Sequence, residues 1–233
     1  MPDININCSD GQFTAYLAVP TNEATGGNGG ILVIQEIFGV NKDMRAHCDR
    51  MAAMGYFALC SDLFWRQEPG IQLADQSDAD WAKAFELYKG FDVNKGITDL
   101  LTSLEYLRQI DGCNGKAGTV GFCLGGLLAY KMALDSDADC NVSYYGVGIE
   151  DHLQQANGIN SPTILHIAEE DSFVSKETQL DINECLAANN QITVYNYPKV
   201  DHAFARHDGV NFDPAASQIA DERTMKCFSE YLK

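Results

Sequence analysis

The sequence predicts an α/β fold, with a mostly parallel central sheet covered by helices on both faces. Three observations predict it. Short apolar runs of strand length alternate with stretches of helical period along most of the 233 residues. One run, Ile-Leu-Val-Ile at 31–34, is apolar without alternation, as a strand buried on both faces requires. Ile97, Leu100, Leu101, Leu104 and Leu107 recur at helical spacing, which gives a helix with one apolar face to lay on such a sheet. No linker divides the chain, so 1–233 is expected to be a single domain.

The elements follow in order. A strand is expected over 13–19, then a loop over 21–30, where Thr-Asn-Glu-Ala-Thr-Gly-Gly-Asn-Gly-Gly offers no apolar face. The buried strand 31–35 ends in Gln35. A helix over 42–54 is ended by Gly55, whose freedom to take positive φ suits a helix C-terminus. A strand over 56–60 precedes a long insertion, whose second half, 78–89, reads as a helix. After the amphipathic helix 93–109 come strands at 117–122, 141–145, 163–168 and 192–196, and helices at 124–134, 175–188 and 215–232.

Charge and cysteine usage exclude several functions. The formal net charge is −17, which argues against nucleic acid or an anionic membrane as partner. No apolar run approaches the roughly 18 residues of a membrane span. The first residues carry no basic segment followed by an apolar run, so a cytoplasmic location is expected. Eight cysteines are scattered without metal-ligand spacing, so reduced thiols, no metal and no cofactor are expected. A monomer is expected.

The chemistry centres on Gly121-Phe122-Cys123-Leu124-Gly125, a G-x-S-x-G spacing with cysteine at the nucleophile position. A strand leads into Cys123 and a helix leaves it, so the side chain sits at a helix N-terminus, where an anion is favoured. An acid and then a histidine should follow. Asp171 lies three residues beyond the strand 163–168, and His202 lies in the loop beyond the strand 192–196. Both fall past strand ends, where open α/β sheets build their sites. Glu169, Glu170 and Asp201 are rival acids, and His207 is a rival histidine. The amides of Leu124 and Ile37 are the candidate oxyanion donors.

Together the segments Gln-Glu-Ile-Phe-Gly-Val-Asn, Gly-Phe-Cys-Leu-Gly-Gly, Tyr-Tyr-Gly-Val-Gly, the Asp171 segment and His-Ala-Phe-Ala-Arg resemble dienelactone hydrolase, within the α/β-hydrolase superfold. The resemblance runs from about Gly11 to Phe228. It implies hydrolysis of a cyclic enol-lactone, 4-carboxymethylenebut-2-en-4-olide, to maleylacetate by a Cys123-His202-Asp171 triad. It implies that Glu36 contacts the cysteine and joins its activation, and that Arg206 contacts Glu36 and the substrate carboxylate. It adds Tyr145 to the pocket. The family's second substrate-binding arginine is matched here by Trp81, with Phe85 and Tyr88 on the same helical face. That face either packs on the core or makes the pocket wall more aromatic. A broader carboxylesterase or thioesterase with the same triad is the alternative, and a redox-sensing homologue is the second.

Overall fold

The computed structural model describes residues 3–20 and 28–233. Its strands are β1 (Asp3–Cys8), β2 (Gly11–Ala18), β3 (Asn28–Ile34), β4 (Phe57–Ser61), β5 (Cys113–Phe122), β6 (Asn141–Tyr144), β7 (Thr163–Ala168) and β8 (Ile192–Tyr197). Its helices are α1 (Lys42–Ala53), α2 (Asp78–Lys89), α3 (Val93–Arg108), α4 (Leu124–Asp135), α5 (Lys176–Leu186) and α6 (Pro214–Tyr231).

All eight strands form one sheet in the order β1-β2-β4-β3-β5-β6-β7-β8. Pairing is antiparallel from β1 through β2 to β4 and parallel from β4 to β8. Ile31 to Ile34 are at most 1% exposed, so both faces of the sheet centre are covered. α1 rests on β2, β3 and β4, while α3 and α4 pack together and against β3 and β5. Polar caps start the helices: Asn41, Ser77, Asp92, Ser175 and Asp213 each accept a hydrogen bond from a first-turn amide.

The predicted elements are present, with shifted ends. β3 begins at Asn28, so part of the predicted loop is strand, while 21–27 lie outside the described residues. β1 was not expected; its Ile4 and Ile6 alternate with Asp and Asn, residues that disfavour strands. A 3₁₀ helix over Ile149–Gly158 was not expected either. Its short, tight turns leave little periodic signal.

The register sets up the site. Ile34 lies beside Gly121, Phe122 beside Tyr144, Tyr144 beside His166, and Ala168 beside Tyr197. The C-terminal ends of β3, β5, β6, β7 and β8 therefore converge on one edge, and the chain leaves that edge through Glu36, Cys123, Tyr145, Asp171 and His202.

Candidate active site

Cys123 caps the N-terminus of α4 with φ 55° and ψ −115°. Such a conformation costs a side-chain-bearing residue about 1–3 kcal/mol and must be imposed by its surroundings. Here glycines make it sterically possible. A Cβ on Gly121 would lie 1.8 Å from the Gly125 carbonyl oxygen, and one on Gly125 would lie 2.3 Å from the Ile34 oxygen. The backbone then fixes the turn: Cys123 N–H donates to the Tyr144 oxygen at 3.1 Å, and Gly126 N–H donates to the Cys123 oxygen at 2.9 Å. Cys123 is 9% exposed, and it lines a pocket.

His202 stands in the loop after β8. Its Nδ1 lies 3.0 Å from Asp171 Oδ2 and 3.2 Å from Oδ1. The two loops are stitched by Glu169 N–H to the Tyr197 oxygen and Glu170 N–H to the Val200 oxygen, each 2.9 Å. Two of the three rival acids are engaged elsewhere. Asp201 Oδ1 accepts from the backbone amides of Ser172 (2.8 Å) and His202 (2.6 Å), and Glu170 pairs with Lys176 at 3.0 Å. His207 stacks on Phe212, with a ring separation of 4.8 Å. The His202 Nε2 is buried and has no hydrogen-bond partner. Burial alone would lower the affinity of this ring for a proton. The Cys123 sulfur and the Asp171 carboxylate outweigh that and raise its pKa to about 10.

A second buried network lies beside this pair. Arg206 Nε donates to Glu36 Oε2 and its Nη1 to Asp75 Oδ2, both at 2.7 Å. The three side chains are 7%, 1% and 3% exposed respectively. Burial disfavours the guanidinium charge, yet Glu36 and Asp75 hold it firmly protonated. The expected Arg206–Glu36 contact is present. Glu36 makes no hydrogen bond to the cysteine: its Oε2 accepts from Arg206, and its Oε1 is buried with no hydrogen-bond partner. Asp75 was missed by sequence reasoning. It lies 131 residues from Arg206, in an insertion that reads as a solvated loop.

The pocket over Cys123 encloses about 430 Å³, its open mouth included. Cys123, His202 and Arg206 line it together with Ile37 and Leu124 and the apolar side chains of Phe38, Trp81, Phe85, Tyr88, Val147 and Phe173. As the first residue of α4, Leu124 has an amide outside the helix's own hydrogen-bond ladder. Trp81 packs edge-on against Phe38 at 5.0 Å and stacks on Phe85 at 5.5 Å, so this face of α2 belongs to the pocket wall as well as to the core margin. Tyr145 departs from expectation. It does not line this pocket but sits behind it, its ring 5.0 Å from that of His202. Its backbone has φ 39°, and the two rings meet edge to face at 62°. Phe173, unanticipated, meets the His202 ring edge-on at 4.8 Å.

Among the described residues, one cluster has ligand atoms close enough for a metal: Cys8, Asp10 and Asp99. Arg66 already pairs with both of its acids, at 2.8 Å and 2.6 Å, and so supplies the cation there.

Comparison with known proteins agrees with this architecture. The model of the dienelactone hydrolase family matches residues 13–232. A protein of Azospirillum brasilense, provisionally named carboxymethylenebutenolidase, is 45% identical over the whole of both chains. Carboxymethylenebutenolidase 1 of Cupriavidus pinatubonensis is 36% identical over 94% of this chain and 92% of its own. A crystal structure of a provisionally named dienelactone hydrolase from Klebsiella pneumoniae covers 99% of this chain and 98% of its own with a TM-score of 0.87, at 24% identity. With a family match spanning nearly all of β2 through α6, this chain belongs to the dienelactone hydrolase family.

Proposed function

We propose that the protein hydrolyses a small ester or lactone through Cys123, His202 and Asp171. One observation carries this reading. Asp171 holds His202 by Nδ1, and the ring's other nitrogen is left buried and unpaired beside a pocket that Cys123 lines. That is the arrangement a thiol proton needs for its removal. His202 takes the proton from Cys123, and the sulfur attacks the substrate carbonyl. The oxyanion faces the amides of Leu124 and Ile37. Collapse of the intermediate breaks the bond to the leaving oxygen, which takes the proton from His202. A water, deprotonated by the same ring, then attacks the thioester, frees the acid and restores the thiol. In a lactone, acid and alcohol leave as one molecule. The names of the carboxymethylenebutenolidase relatives support the lactone substrate. The aromatic wall of Trp81, Phe85 and Tyr88 supports the wider esterase reading.

Pre-steady-state turnover of p-nitrophenyl acetate tests the proposal. A stoichiometric burst is expected, and iodoacetamide should abolish it while mass spectrometry finds Cys123 alkylated first. A linear trace with no burst and no turnover would leave a sensor of thiol oxidation as the better reading. Loss of activity on alkylation of another cysteine would remove Cys123 from the mechanism.

A further inference from the structure

We propose that Asp75 sets substrate specificity by neutralising Arg206, so that the pocket takes an uncharged ester or lactone with an aromatic group. The inference rests on the hydrolase reading above and narrows its substrate. Among the described residues lining the pocket, Arg206 is the only lysine or arginine. A free guanidinium there would recruit a substrate carboxylate through paired N–H donors. Two of the Arg206 nitrogens, Nε and Nη1, are already engaged. Glu36 and Asp75 each hold it at 2.7 Å, so two carboxylates face one cation. A carboxylated substrate would bring a third negative group to a buried pocket with no further lysine or arginine to meet it.

Asp75 is also fastened, so substrate does not displace it readily. Its Oδ2 accepts from the Val210 amide at 3.2 Å as well as from Arg206, and its Oδ1 accepts from Gln76 Nε2 at 2.7 Å. Its carbonyl accepts from Trp81 Nε1 at 3.1 Å. The segment before it is pinned to the loop after β3 by Leu73 N–H to the Phe38 oxygen and by Asn41 Nδ2 to the Leu73 oxygen, each 2.9 Å. Trp81 thus does two things: it holds the backbone of the residue that neutralises Arg206, and it offers its ring to the pocket. Phe85, Tyr88 and Phe173 extend that surface, and all three are at least 36% exposed without substrate. A flat aromatic group would cover them and keep its own contacts apolar.

The test is kcat/KM for a matched pair of substrates, p-nitrophenyl hemisuccinate, which is anionic, and its neutral methyl ester. The wild-type protein should prefer the neutral ester by tenfold or more. Asp75→Asn should raise the anionic-to-neutral ratio about tenfold. Asp75→Ala, which removes the same charge, should raise it as well and serves if Asp75→Asn does not fold. A wild-type preference for the anionic ester overturns the inference without any variant. So does an unchanged ratio in a folded Asp75→Asn protein. In both cases the hydrolase reading survives, because turnover is seen. No turnover of either ester would overturn that reading and the inference with it.

Discussion

Two buried ion networks flank Cys123, and they use their cations in opposite ways. In the first, one carboxylate, Asp171, meets one ring, His202, and a ring nitrogen is left without a hydrogen bond. In the second, two carboxylates meet one guanidinium, Arg206, whose Nε and Nη1 are both taken. The first retains an unsatisfied polar atom where chemistry needs one. The second pairs its cation through two nitrogens and leaves a buried orphan on the anion, at Glu36 Oε1. Burial and ion pairing alone therefore do not mark a catalytic group. On the reading proposed above, the unpaired ring nitrogen of His202 does.

Substitutions that remove one partner from each network would separate the two roles. Asp171→Asn should keep the fold and lower kcat by roughly 10²–10⁴, because His202 loses the partner that fixes its tautomer. Steady-state kinetics beside a circular dichroism melt would show it, and full activity would transfer the acid's role to another group. Arg206→Ala should act mainly on stability. It strands Glu36 and Asp75 in a buried site, and breaking a buried pair costs about 3–5 kcal/mol. Urea unfolding at pH 7 measures that loss. A loss below about 1 kcal/mol would mean that water reaches the two carboxylates and that the second network is less closed than its geometry.

The two networks also differ in how far the sequence reveals them. The first is written in local grammar. Glycines that permit the turn at Cys123 sit two residues on either side of it, and the acid and histidine follow strand ends whose apolar runs are plain. The second is only half legible. Glu36 follows a buried run and Arg206 follows His202 by four residues, but Asp75 lies in a stretch of Asp, Gln and Ser with no periodicity. What brings it to Arg206 is tertiary: the Leu73–Phe38 backbone bond and the Trp81 indole. Phe173 and Tyr145 teach the same lesson. Each is an aromatic beside a legible position, and only the three-dimensional path shows Phe173 lining the pocket and Tyr145 behind it. The strands of the parallel sheet were read from apolar runs. β1 escaped because an edge strand buries little and can afford polar alternation.

pH sharpens the comparison, with the smallest of the expected effects. The folded pKa of His202, about 10, lies above the 6.5 of a free histidine. The folded state therefore binds this proton more tightly than the unfolded chain does. Its contribution to stability is complete below about pH 6.5, declines as pH rises, and is gone above about pH 10. Arg206 is held protonated by its two carboxylates through that whole window, so its guanidinium adds no slope there. The other shifted histidines act elsewhere: burial lowers the pKa of His166 to about 3 and also lowers those of His152 and His207, so their contributions change only below pH 6.5. Subtracting the unfolding free energy of His202→Gln from that of the wild type, point by point from pH 6 to 10, isolates the one ring. The difference should fall steadily toward high pH. A difference that instead rises from pH 6 to about 7.5 and then levels would mean that His202 is neutral in the resting protein.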